Sequence, residues 1–393
     1  MHAKLMPVNE KERILSIDIL RGFALLGIFL VNMPAFFNPI YYLNPQTYWS
    51  KGIDYNLHAF VDFFAQGSFY PLFAFLFGYG AMIIAERSGY KQLSFPLLFV
   101  RRLFILLVFG CIHAFLVWHG DILISYACTG FLFMLFYKCS GKTLIISGLL
   151  IYIIPFGLLA WLFLSINQNI LYNTSEVVTS IQVYSSESFL EITAQRMNDW
   201  LHANGPNNAW VLILNLLPIM LLGAGFAKQK WLIHVKEYKK QLICLMWIGL
   251  LGGSAFKILP YIQGDTYGAR FLQDQFGGPL LALFYMTSIV LLVENKIARK
   301  ILKPLASVGR MSISHYLIQS IIFTLISYGY GLGYYGDISY TTGFIFVFIF
   351  YTIQVIVSHW WLSKYQYGPI EYIWRWGTYG EKPKLSRKIE RDG

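Results

Sequence analysis

The stretch RRLFILLVFGCIHAFLVWHGDILISYA holds the residues best suited to chemistry. His113 stands inside an apolar run, and His119, Gly120 and Asp121 form a tight turn before the next apolar run begins. Two antiparallel helices joined so closely must pack together, which brings Asp121 towards His113 or His119. A carboxylate bonded to one imidazole nitrogen fixes the tautomer and makes the other nitrogen a better base. That pairing suits deprotonation of a hydroxyl or an amine. The plainer alternative is a buried His113 bonded to a backbone carbonyl, with Asp121 capping the following helix. His119, on the turn itself, is expected to be exposed and to meet substrate.

Other ionisable groups also fall in or beside apolar segments. Asp18 and Arg21 are spaced i,i+3 in SIDILRGFALLGIFLVN and share one helical face. They read either as an interfacial ion pair that fixes helix depth or as a phosphate site built on the Arg21 fork, with Arg102 as a second cation. Asn32 lies about three turns further along the Arg21 face. In YNLHAFVDFFAQGSF, His58 and Asp62 are spaced i,i+4 and Gln66 extends their face. His58 is a second candidate base, with Asp62 and Gln66 towards substrate. No third ligand of defined spacing accompanies them, so no metal is expected. Lys257 is expected to snorkel outward, and His315 and His359 are lesser candidates. Gly78 and Gly80 read as points of close helix approach. No phosphate loop, hydrolase elbow, zinc-protease motif or dinucleotide fingerprint occurs in a supporting context.

These residues must be positioned by helices in lipid. The chain is 56% hydrophobic and 13% charged, against roughly 25% charged in soluble domains. Such a chain cannot cover its core with polar surface, so hydrocarbon must be part of its solvent. The expected fold is all-α, a polytopic bundle of about ten spanning helices. The spans are placed near 17–37, 67–86, 97–118, 121–138, 143–165, 209–227, 241–260, 278–294, 311–329 and 341–362. The net charge of +11 does not point to nucleic acid, because the cations sit in short loops. With the N-terminus inside, 27 of the 31 Lys and Arg fall on the inner side, from Lys4, Lys11 and Arg13 to Lys388 and Arg391. Lys51, Arg196, Arg270 and Lys257 remain outside or near the outer end of a span. Both termini are therefore expected in the cytoplasm of a bacterial cell, with the protein in its plasma membrane.

The whole chain, 1–393, reads as a single transmembrane domain, with a long outer segment at 166–208 that caps an outer cleft. The end, 363–393, reads as a cytoplasmic interfacial helix and tail. No secretory signal peptide is evident. The four cysteines are expected to be buried small hydrophobes.

Together the first span, HAFLVWHGDILISYA, GRMSISHYLIQS and GPIEYIWRWGTYG resemble the YeiB-like bacterial membrane family (domain of unknown function 418) over nearly the whole chain. Members of that family have been described as probable transporters. The opening segment also resembles the wider superfamily of transmembrane acyltransferases, which implies a cytoplasmic acyl-CoA donor and an acceptor, often a sugar, on the opposite face. In acyltransferase-3 proteins the first span carries Arg, ten residues, then His. Arg21 matches that Arg, but Asn32 stands where the His would be. The heparan-glucosaminide group resembles this chain in having Asn there and carries its working His between the first two spans, where His58 is nearest. His113 and Asp121 match the YeiB-like pattern itself.

Two functions follow. In one, Arg21 and Arg102 hold the phosphates of acyl-CoA, and His113, oriented by Asp121, activates a small-molecule acceptor or carries the acyl group. In the other, a proton- or cation-coupled transporter uses Asp62, His113 and Asp121, with Pro34, Pro71 and Pro279 marking broken helices. A resemblance between GDILISYACTGFLF (120–133) and GDISYTTGFIF (336–346) would then be the trace of a repeat. Membrane lipids are partners in both, and a homodimer stays open.

Overall fold

The computed structural model describes residues 13–90, 94–166, 168–170 and 172–387. Lys4, Lys11, Lys91, Lys388 and Arg391, used above for topology, lie outside them. Among the described residues the chain is all-helical. In order the helices are α1 (Leu15–Phe37), α2 (Pro45–Tyr48), α3 (Gly52–Phe64), α4 (Phe69–Tyr90), α5 (Phe95–Ile112), α6 (Leu123–Phe133), α7 (Gly141–Ile166), α8 (Thr174–Tyr184) and α9 (Phe189–Asn204). They continue with α10 (Pro206–Lys228), α11 (Lys239–Lys257), α12 (Leu259–Gln263), α13 (Tyr267–Leu272), α14 (Gly278–Leu292), α15 (Lys296–Gly309), α16 (Ser312–Ser327), α17 (Tyr340–Lys364) and α18 (Pro369–Tyr379). Two π-helical turns interrupt the series, His113–Val117 after α5 and Gln273–Gly277 between α13 and α14.

Among the described residues, eight helical stretches are long and apolar enough to cross a membrane. They correspond to eight of the ten expected spans. The other two are shorter apolar helices, α6 and α16. An 11-residue α6 rises about 16 Å, too little to cross a hydrocarbon core alone. Three expectations need adjusting. The span expected at 278–294 is longer, because α13 and the second π turn extend it to Tyr267–Leu292. The stretch 296–309, read as an inner loop, is the amphipathic helix α15, started by Asn295, whose side chain accepts from the Ile297 and Ala298 amides. The segment 166–208 contains two helices, α8 and α9.

Proline falls mostly where a helix tolerates it. Pro96, Pro206, Pro279 and Pro369 occupy first turns, where the missing N–H is no loss. Pro71 also lies in the first turn of α4, and Pro34 lies in the last turn of α1. No helix is broken at Pro279: the π turn before it runs on from α13 into α14. Cys111, Cys128 and Cys244 are exposed on the bundle surface and Cys139 is half-buried, so the expectation of four buried cysteines fails. In a membrane the outer surface is as apolar a place as the core.

Candidate functional site

The turn between α5 and α6 makes the first polar centre. α5 passes into the π turn at His113, and a π turn is wider than an α-helical one and often marks a functional position. The chain reverses through Trp118–Ile122 and α6 begins at once, which folds Asp121 back onto His113. His113 Nδ1 lies 2.8 Å from Asp121 Oδ1, and the two side chains are 1% and 0% exposed. The second Asp121 oxygen accepts the Ile124 amide at 2.9 Å, so the acid caps α6 as well. With Nδ1–H donated to the carboxylate, the neutral ring carries its lone pair on Nε2. Nε2 is buried, and no partner among the described residues hydrogen-bonds it. Tyr316 of α16 packs on the ring at 5.0 Å and donates its hydroxyl to the Gly120 carbonyl at 3.1 Å. The two alternatives left open for Asp121, capping and holding the His, are thus one arrangement.

His119 is not exposed as expected; it is 3% exposed beneath the α8–α9 cap. Asp199 of α9 accepts Tyr42 Oη at 2.8 Å, Tyr184 Oη at 2.6 Å and Gln195 Nε2 at 2.9 Å. Because Tyr184 gives its proton to Asp199, its oxygen accepts from His119 Nδ1–H at 3.2 Å. Arg196 is wholly buried and donates to the Val117 carbonyl at 3.0 Å, fastening the cap to the end of the first π turn. Burial holds the His119 imidazole below its ordinary value, against the pull of Asp199.

A second polar centre surrounds Asp62. Arg270 Nη1 lies 3.0 Å from both Asp62 oxygens, Gln273 Nε2 donates at 2.8 Å and Tyr261 Oη at 2.7 Å. Arg270 also donates to Asp265. Lys257 does not snorkel: it is 0% exposed, donates to the Asp62 and Gln66 carbonyls, and lies 3.7 Å from Asp274. Gln66 thus enters through its backbone. Asp62 is committed to Arg270, and His58 packs instead between Trp49, at 5.2 Å, and Tyr340, at 5.5 Å.

Arginines gather at the opposite end of the bundle. Asp18 pairs with Arg13 at 3.3 Å and Arg21 at 3.4 Å. α15 comes as close to α1 as it does only because of two glycines. A Cβ on Gly309 would stand 1.9 Å from the Asp18 carbonyl oxygen, and one on Gly22 would stand 2.1 Å from that of Leu305. The Arg102 guanidinium lies 3.4 Å over the Trp374 ring, while Trp374 Nε1 donates to the Arg102 carbonyl at 2.9 Å. α18 is pinned further by buried Glu371, which accepts the Ile313 and Ser314 amides and the Ser314 hydroxyl at the start of α16. Arg13 and Arg375 lie within electrostatic range of Arg21, and Arg21 and Arg375 within that of Arg102. From Arg102 to His113 along α5 is about 16 Å of helix rise. Asn32 is half-buried on α1, a similar distance from Arg21.

Several expectations are left apart. His315 is buried and bonds Ser358, tying α16 to α17, and His359 is exposed. In the first GDI segment Asp121 caps the helix that follows, whereas in the second Ser339 does so for α17. Among the described residues no group of three or more His, Cys, Asp or Glu is placed to hold a metal ion. Sequence reasoning missed Tyr316, Arg270 and Asp274. The signal for the last two was a cation and an acid just before an apolar run, with no charge-free helix start between them.

The family model described as "Protein of unknown function (DUF418)" matches residues 226–381. The chain is 35% identical to Uncharacterized protein YxaH of Bacillus subtilis, over 99% of its own length and 100% of the relative's. It is 28% identical to Uncharacterized protein YeiB of Escherichia coli, over 93% and 96%. It is also 28% identical to an uncharacterized 39.9 kDa protein from the amylase 3' region of Bacillus acidopullulyticus, over 98% and 99%.

Proposed function

The chain belongs to the DUF418 family, whose YeiB-like members include the relatives above, and from its buried dyad we propose that it is an acyl-CoA-dependent membrane acyltransferase. The observation that carries this reading is His113, with Nδ1 held by Asp121 and Nε2 left as an unshared buried base. The arginine basin, with Arg21, Arg102 and Asp18, holds the phosphates of a cytoplasmic acyl-CoA. Its acyl end reaches through the bundle towards His113. His113 Nε2 takes the proton of the acceptor's hydroxyl or amine as the new bond to the acyl carbon forms. The C–S bond breaks, and the proton passes back to the departing thiolate. The acceptor, a sugar or another hydroxyl or amine, enters beneath the cap past His119, which requires α8 and α9 to move. His58, between its two aromatic neighbours, Asp62 and Asn32 take no step in this account. In this reading the arginine end faces the cytoplasm, both termini lie inside, and the protein sits in the bacterial plasma membrane. Acyl-CoA binding to purified protein tests it: wild type binds and Arg21→Ala loses binding. Folded wild-type protein that binds no acyl-CoA would sink it.

One observation favours a transporter instead: the charges around Asp62, set beside the π turn Gln273–Gly277. Uptake of protons or cations by proteoliposomes, abolished by Asp62→Asn, would support that reading over the first.

A further inference from the structure

The helix α15 has three different sides. At about 3.6 residues per turn, Ala298, Leu302, Leu305 and Gly309 fall on one line, and all are half-buried or buried. That line is the inward one: α15 packs on α1 and α17, and Leu305 and Gly309 touch α1 directly. Ile297 and Ile301 form the next line and are 73% and 70% exposed. Lys296, Arg299, Lys300 and Lys303 fill the side beyond the isoleucines, and all four are exposed. An apolar stripe beside a cationic one is the pattern of a helix that lies in a membrane interface, its apolar stripe on the acyl boundary and its cations among head groups. The position agrees. α15 begins four residues after the span Tyr267–Leu292 ends, and it meets α1 at Asp18 and Gly22, near the start of the span Leu15–Phe37. α17 ends in exposed Trp360 with Lys364 Nζ 4.6 Å over its ring, residues of the kind found at the interfacial level.

The charge specifies which lipid. Residues 293–310 hold Lys296, Arg299, Lys300, Lys303 and Arg310 against a single acid, Glu294. Among the described residues Lys296, Lys300 and Lys303 form no ion pair. Arg299 gives Nε to the Val293 carbonyl at 2.8 Å, which ties down the start of the helix. A lysine ammonium donates and never accepts, so what answers this side is an acceptor that carries negative charge. A soluble phosphate would supply that but would leave Ile297 and Ile301 in water. The phosphate of a lipid brings acyl carbons with it. A zwitterionic head group carries an ammonium of its own, which cancels the attraction, whereas an acidic one does not. We infer that α15 is a docking side for acidic phospholipids, with Lys296, Lys300 and Lys303 on head-group phosphates and Ile297 and Ile301 among the upper acyl carbons. The site is independent of the His113 chemistry, and its test needs no turnover.

The test uses the full chain in phosphatidylcholine nanodiscs doped with one of two probes. Each probe carries a diazirine high in an acyl chain, one on a phosphatidylglycerol and one on a phosphatidylcholine. Photolabelled peptides are then mapped by mass spectrometry. The phosphatidylglycerol probe is expected to label α15 roughly three- to tenfold more than the phosphatidylcholine probe, and that excess is expected to shrink as salt is raised. Lys296→Gln, Lys300→Gln and Lys303→Gln made together are expected to remove the excess. Ile297→Ser with Ile301→Ser is expected to lower labelling of α15 by both probes, roughly three- to tenfold. Labelling around Leu149 and Ile153, exposed on α7, is expected to stay as in wild type in both variants and so to show that they fold. Equal labelling of α15 by the two probes, or an excess that survives the three lysine changes, would overturn the head-group assignment. Wild-type α15 that neither probe labels would mean that protein covers this side, and would overturn the site.

Discussion

At the π turn that begins with His113, one acid meets one base and the base keeps an atom free. At the π turn that begins with Gln273, two further acids, Asp265 and Asp274, and two cations, Lys257 and Arg270, gather around Asp62, whose own oxygens are filled by Arg270, Gln273 and Tyr261. Both centres are buried, and both sit where a helix widens. The difference lies in how the charge is used. Asp121 orients a ring without consuming it, which is how a reactive base is prepared. Arg270 and Asp62 consume each other, which is how a charge is kept tolerable away from water. A buried ion alone is therefore a weak sign of chemistry; the free atom beside it is the stronger one.

The sharpest way to break this contrast is to change one partner in each centre. Asp121→Asn is expected to leave acyl-CoA binding intact and to lower transfer by roughly 10²–10⁴-fold, because the ring loses the acceptor-only carboxylate that sets its tautomer, and an amide can donate to it instead. Equal transfer by the variant would make Asp121 a helix cap and nothing more. Arg270→Ala is expected to act on stability instead. Leaving Asp62 buried and unpaired costs about 3–5 kcal/mol, read as a loss of folded protein in a detergent unfolding assay. A stable Arg270→Ala protein would mean that water already reaches Asp62.

Two smaller effects sharpen the comparison. Gly309→Val puts a side chain against the Asp18 carbonyl, and such overpacking costs about 1–3 kcal/mol. It is expected to move α15 off α1 and to weaken acyl-CoA binding, measured by equilibrium dialysis, while leaving the Asp62 centre untouched. The mildest effect concerns the cap. His119 holds its proton less readily in the folded protein than its ordinary value of 6.5. Below that value the unfolded chain binds more protons than the folded one, so the cap is most stable above it and loosens as pH falls. Protection factors in α8 and α9, with exchange rates corrected for the intrinsic pH dependence of amide exchange, are expected to be lower at acid pH than at neutral pH, and pH-independent protection would contradict the assignment.

Most of the fold was legible in the sequence because lipid demands long apolar helices, and that demand is written residue by residue. α6 and α16, read as spans of ordinary length, are shorter apolar helices than the other eight. α15 was hidden because its cations looked like a loop, although Ile297, Ile301 and Leu305 recur every four residues. The tight turn brought Asp121 towards His113 or His119 without deciding between them, and the structure gives the contact to His113. The Asp62 centre was half legible: Asp62 stood out, but its partners Lys257, Arg270 and Asp274 come from some two hundred residues away, and no local spacing encodes that distance. His119 misled because a turn in a bare sequence gives no hint of a cap folded over it from α8 and α9.

The most direct measurement of the central claim is release of free thiol from acetyl-CoA by the protein in nanodiscs of bacterial lipid extract, with acetyl-CoA binding followed on the same samples. His113→Gln is expected to bind like wild type and to release thiol roughly 10²–10⁴-fold more slowly. Undiminished release by a folded His113→Gln protein would contradict the account, because the free nitrogen of His113 would then have no part in the reaction.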